Sequence, residues 1–159
     1  MSSELIINSS RDKSRIGLLK DKKLVEFHQE TDETKFNVGD IYVGKVKKIN
    51  KSLNAAFIDI GFEKDAFLHY LDLGPQFLSL KSFVKKTRSK GKSTPYDSFS
   101  KLEDINKFGK ITEVLKKGDE LLIQIVKEPI STKGPRVTTE LSLAGRYLIL
   151  VSFSEAINI

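Results

Sequence analysis

The sequence predicts a mainly β chain built around a small, five-stranded antiparallel barrel. Three observations carry this. Five short segments rich in Val, Ile, Thr and aromatic residues follow one another after Val38, a composition that suits pleated, half-buried strands. The punctuation between several of them is tight: Gly39-Asp40, Gly61 and Gly118-Asp119 mark turns. The chain has 159 residues, enough for one domain with a hydrophobic core.

Residues 4–8 (ELIIN) read as a short strand, and residues 15–19 and 24–27 flank KDKK as a hairpin. This opening piece is too small to fold alone, and its charges balance, with seven basic and seven acidic residues over 1–37. It is expected to pack on something else. The barrel then begins with residues 41–49 (IYVGKVKKI), a strand with interleaved lysines. Residues 53–60 and 66–70 follow, joined through Gly61 and the polar FEKD. Residues 120–126 (ELLIQIV) and 136–141 (RVTTEL) complete the five.

Between the third and fourth of these strands lies a long basic insertion. Residues 79–117 hold eleven Lys or Arg against four Asp or Glu, a net of +7, and the rest of the chain sums to −1, so all the positive excess of the +6 total lies there. Within it, residues 85–98 (KKTRSKGKSTPYDS) are expected to be a loop, and residues 111–117 (ITEVLKK) a short helix stopped by Gly118. So long a connection inside a small barrel is either functional or a solvated excursion. The functional alternative is an arm adding phosphate contacts through Lys81, Lys85, Lys86, Arg88, Lys90 and Lys92. After the barrel, residues 147–151 (YLILV) read as a strand buried on both faces, which a five-stranded barrel does not need. This strand and the opening piece are expected to belong to a second, incomplete unit, and the chain to be a fragment.

Composition narrows the chemistry. There is no cysteine, which excludes disulfides and thiolate metal sites and suits a reducing, cytoplasmic compartment. No apolar run is long enough to span a bilayer, and the N-terminus lacks the pattern of a secretory signal. His28 and His69 stand far apart with no third ligand nearby, so no zinc site is expected. Asp59 and Asp65 resemble a carboxylate pair, but are read as solvated flanks rather than acid–base or magnesium groups. The basic balance favours a polyanionic partner.

Alternation points to where that partner would lie. In residues 53–60, Ala56, Ile58 and Ile60 share the core face, leaving Leu53, Ala55, Phe57 and Asp59 on the other. In residues 66–70, Asp65, Phe67 and His69 fall opposite Ala66, Leu68 and Tyr70. Phe57 and Phe67 therefore both lie beside carboxylates on faces that look outward. Two exposed aromatics on a barrel face are how OB-type modules hold single strands, bases stacking on rings while lysines follow the phosphates. Lys45 and Lys47 alternate along the preceding strand and would supply charge, and His69 would line the groove. Alternation alone leaves open whether the two rings form this platform or belong to the core.

The stretch VGDIYVGKVKKINKSLNAAFIDIGFEKDAFLHYLDL resembles the S-one domain, an OB-type RNA-binding module named after a ribosomal protein. VKEPISTKGPRVTTELSLAGRYLILV looks like the segment that follows this domain in ribonucleases of the RNase E/G family, and ELIINSS resembles that family's opening strand. The resemblance implies a domain plan: residues 1–37 as the start of an RNase H-like subdomain, 38–140 as the S-one domain with the basic insertion at about 79–117, and 141–159 as the truncated return of that subdomain. It implies single-stranded RNA contacts by Phe57, Phe67 and Lys133, the last in STKGPR beside a turn at Gly134-Pro135, and a partial 5′-monophosphate-sensing pocket at Gly145 and Ile149. It implies an endoribonuclease of RNA processing and decay whose magnesium-binding catalytic domain lies elsewhere, with zinc at a cysteine link in some relatives and possible homo-oligomers. This piece alone is then expected to bind RNA without cutting it. The alternative from another class is a free-standing RNA-binding or RNA-chaperone protein.

Overall fold

In a computed structural model of the chain, residues 2–10, 13–31, 36–90 and 99–154 are described. They fall into two compact units, Met1–Lys35 and Phe36–Ile159. The first is an antiparallel meander of β1 (Ser3–Ser9), β2 (Lys13–Lys20) and β3 (Lys23–Thr31). The expected hairpin is present: Asp21 and Lys22 both take positive φ, 48° and 63°. That is the two-residue turn whose twist matches that of the strands it joins.

The second unit contains a closed barrel of β4 (Ile41–Asn50), β5 (Ala55–Asp59), β6 (Ala66–His69), β7 (Glu120–Lys127) and β8 (Arg136–Thr138), in the order β4-β5-β6-β8-β7. Mainly β with a five-stranded closed barrel, it fits the OB class expected. One seam departs from the antiparallel expectation: β6 and β8 run parallel and meet at Phe67 and Arg136. Inside lie Val46, Ala56, Ile58, Ala66, Leu68, Leu121, Ile123, Ile125 and Val137. Gly44 leaves room for them, because a Cβ there would run into the Ile58 side chain. Ala55, expected on the outer face, is fully buried. It opens β5 directly after Asn54, whose side chain holds residues 109–111 over this end of the barrel, so alternation fails at that first position.

A 3-10 turn (Tyr70–Asp72) ends β6, and α1 (Phe77–Lys90) follows. The loop expected from Lys85 is therefore corrected for residues 85–90, while 91–98 lie outside the described residues. The reason is a helical stripe: Phe77, Leu80 and Val84 are all buried. Leu80 and Val84 join Phe153, Phe83 and Phe99 in a second apolar cluster, with the Phe83, Phe99 and Phe153 rings edge-on at 5.4–5.8 Å. The insertion is fastened at its root: the Ile105 amide donates to the Pro75 carbonyl at 2.9 Å and the Leu102 amide to Ser79 Oγ at 2.9 Å. The second helix, α2 (Ile111–Val114), is shorter than expected. Leu115 turns extended (φ −122°) and is buried in the barrel core.

The last two strands, β9 (Ser142–Ala144) and β10 (Ile149–Val151), form a hairpin of their own. The expectation of a strand over 147–151 buried on both faces is overturned. Only Ile149–Val151 is strand, paired on one side with β9, and Tyr147, Leu148, Ile149 and Leu150 are exposed.

Candidate nucleic-acid interface

Phe57 and Phe67 are direct cross-strand partners on β5 and β6. Their rings meet edge-on, 5.8 Å between centroids at 69°, a favoured aromatic geometry. Both are half-buried, while Ala56, Ile58, Ala66 and Leu68 face inward and are sealed. The ambiguity left by alternation is thus resolved as far as position goes: the pair stands on the outer face.

The rings line an open groove of about 700 Å³. Its other wall is the arm between β7 and β8. There Ile130 and Lys133 close a tight turn, the Ile130 amide donating to Lys133 at 3.0 Å and the Lys133 amide to Ile130 at 2.6 Å. The turn thus falls before Gly134-Pro135, not at it. Two links fix the arm: the Phe67 amide donates to the Pro135 carbonyl at 2.8 Å, and Lys64 Nζ donates to the Ser131 carbonyl. Gly134 is required by close approach, since a Cβ would strike the Asp65 carbonyl. Lys133 is exposed and lines the groove with both phenylalanines, so these three expected residues come together.

The other expected residues are distributed differently. Lys47 Nζ donates to Asp65 Oδ1 at 2.9 Å, and this hydrogen bond, helped by the charge, raises the Lys47 ammonium above its ordinary value. Asp65 lines the groove, so Lys47 reaches its edge as one half of an ion pair, and Asp65 is more than a solvated flank. Lys45 is exposed opposite Asp59 and does not line the groove. His69 is half-buried, and its Nδ1 accepts from the Leu71 amide at 3.2 Å, which caps the 3-10 turn and puts the neutral ring's proton on Nε2. Arg136 lines the groove and is gripped by Asp72 through two bonds of 2.9 Å; these hydrogen bonds and the Asp72 charge raise its guanidinium further. Gly145 and Ile149 share the β9–β10 hairpin, where the Gly145 amide donates to the Leu148 carbonyl at 2.8 Å, and neither lines this groove.

Sequence reasoning missed Ile130 and Lys64, which complete the walls with Leu53, a residue that alternation had put on the face of Phe57 without assigning it a contact. Ile130 had one signal, an apolar residue within the polar turn KEPISTKGP; Lys64, a charged residue in FEKD, had none. The side chains gathered here offer flat apolar faces and ammonium groups. Among the described residues there is no cluster of three or more His, Asp or Glu that could hold a metal. No described helix is long and apolar enough to cross a membrane.

Fold and groove together define a class: a mainly β protein on an OB-type barrel with an aromatic floor and a cationic rim. No family model matches the chain. It is 32% identical over 151 residues to ribonuclease G of Escherichia coli, covering 95% of this chain and 27% of that protein. It is 34% identical over 148 residues to ribonuclease G of Haemophilus influenzae, covering 93% of this chain and 26% of that protein. It is 37% identical over 123 residues to ribonuclease E of Synechocystis sp., covering 77% and 14%. The chain therefore carries sequence of the RNase E/G family over nearly its whole length, and spans about a quarter of the ribonuclease G relatives it matches.

Proposed function

We infer that this chain is the single-stranded RNA-binding part of an RNase E/G-type endoribonuclease. The observation that supports this most is the pairing of Phe57 with Phe67 on the outer barrel face beside the exposed Lys133. Bases stack on the two rings, and Lys133, with Lys127 on the same wall, meets the phosphates. Lys64 and Arg136 are bonded within the protein, Lys64 to the arm at Ser131 and Arg136 to Asp72, rather than reaching for RNA. The barrel corresponds to the S-one module of the family. Its task is to hold RNA for a magnesium-dependent catalytic domain elsewhere in the same cytoplasmic protein, acting in RNA processing and decay. Gly145 and Ile149 take part in the 5′-end pocket once the remaining residues of that pocket join them. Among the described residues no cluster of three or more His, Asp or Glu offers a site to magnesium or zinc.

The test is the double variant Phe57→Ala/Phe67→Ala, assayed for binding to a labelled oligouridylate by fluorescence anisotropy. Each stacked base contributes about 1–3 kcal/mol, so affinity should fall at least about 30-fold. Because both rings are half-buried, Phe57→Leu/Phe67→Leu is measured beside it, keeping apolar bulk without a π face. Unchanged affinity in either folded variant would refute the stacking platform.

A further inference from the structure

One large apolar side chain stands almost wholly in water. Phe108 is 91% exposed, the highest value among the exposed large hydrophobic residues described. A single exposed apolar residue ordinarily carries no meaning. Phe108 differs in how its backbone is held. Asn106 Oδ1 accepts the Phe108 amide at 2.9 Å, and the Gly109 amide donates to the Asn106 carbonyl at 3.0 Å. That carbonyl also accepts the Tyr70 hydroxyl at 2.5 Å. Asn54 Nδ2 donates to the Gly109 carbonyl at 3.1 Å, and the Ile111 amide to Asn54 Oδ1 at 2.7 Å. At Gly109 itself a Cβ would collide with the Tyr70 hydroxyl. The turn is bolted down at two points while its ring projects freely.

Both anchors adjoin the strands that carry the platform. Asn54 immediately precedes β5 and follows Leu53, which lines the groove, and Tyr70 follows the last residue of β6. The Tyr70 amide donates to the Asn54 carbonyl at 2.9 Å, so the anchors also hold each other. Along the outer face of β6, Phe67 and His69 succeed one another at about 6.6 Å, and Leu71, 61% exposed, follows two residues on in the 3-10 turn. Leu71 and Lys107 line one shallow hollow of about 320 Å³ with Glu140 on its rim. The surface thus runs from Phe67 through His69 and Leu71 to the anchored turn. Lys107 and Lys110 are exposed on either side of Phe108. Glu113, the acid next in sequence, has its carboxylate engaged by the Lys110 amide at 3.2 Å.

We propose that Phe108 is a further base-stacking residue, flanked by Lys107 and Lys110 as phosphate contacts, and that it prolongs the single-stranded RNA track beyond the Phe57–Phe67 pair. This rests on the reading of that pair as an RNA platform. A ring presented on a pinned turn gives up little freedom when a base stacks on it, and stacking accepts any base.

The experiment compares the wild-type chain, Phe108→Ala and Phe57→Ala/Phe67→Ala for binding to oligouridylates of about four and about twelve nucleotides, spanning the site sizes of such barrels. Phe108→Ala should melt with the wild type, should bind the longer oligomer about 5- to 100-fold more weakly, and should bind the shorter one unchanged. Wild-type affinity for the longer oligomer in Phe108→Ala overturns the extension, and the ring then serves a protein contact. An equal loss on both lengths also overturns it. If the platform variant loses affinity and Phe108→Ala does not, only the extension fails. If the platform variant binds both lengths as the wild type does, both readings fall.

Discussion

At Asp119 one carboxylate oxygen receives Lys81 Nζ at 2.5 Å and the Lys116 amide at 2.9 Å, joining α1 to the turn before β7. Burial alone would raise this carboxyl, but the bonds from Lys81 and Lys116 outweigh it and hold it below its ordinary value. The folded state therefore resists protonation where the unfolded chain, near pH 4, does not, so the stabilisation is complete above that range and fades as pH falls below it. Asp119→Asn should cost about 1–2 kcal/mol at pH 7, and chemical denaturation should show the difference from wild type shrinking below about pH 4. Such pairings are the part of the site hardest to read in the sequence. Alternation in two short strands gave Phe57 and Phe67 like faces but left open whether those faces are core. It said nothing of Lys47 meeting Asp65 or Arg136 meeting Asp72, because those pairs depend on how the barrel closes and bring together residues far apart in the chain.

Among the elements, α1 shows how composition can mislead. KKTRSK reads as a loop, yet the buried stripe of Phe77, Leu80 and Val84 makes it the end of a helix. The side chains that decide its structure lie upstream of the lysines that dominate its composition. Leu80→Ala should lower unfolding stability by about 2–3 kcal/mol in urea titrations, whereas Lys85→Ala, exposed on the same helix, should stay within about 0.5 kcal/mol of wild type. The opposite error occurred at YLILV. An unbroken apolar run signals burial only when something covers it, and among the described residues β10 has a hydrogen-bonded neighbour on one side alone. Four of the barrel strands, by contrast, were legible to within two residues at each end, helped by turn glycines that the backbone needs: Gly39, Gly61 and Gly118 all have positive φ; the fifth, expected over 136–141, is only Arg136–Thr138.

For the whole molecule, the net charge of +6 overstates what is free to meet a polyanion. Lys81 is tied to Asp119, and Arg88 to Glu120 at 2.7 Å, on the α1 side of the barrel. Phosphate contact should concentrate at the aromatic groove. Replacing Lys127 and Lys133 by alanine should flatten the plot of log affinity against log salt by about 1.4, the value for two contacts to a single strand. The same replacement at Lys85 and Lys116, which line a recess beside α1, should leave that slope as in the wild type. A uniform response to both pairs would show that the overall charge, not the groove, governs binding.

The Pro75–Ile105 and Ser79–Leu102 bonds tie residues 102–105 back to residues 75–79 and close the stretch between them into a loop. In mechanical terms the segment is a handle riveted at its root. Its length is then decoupled from the register of every strand, since doubling a closed loop costs only about 0.6 kcal/mol. A longer or shorter segment between these bonds would therefore leave the barrel's strand pairing as it is.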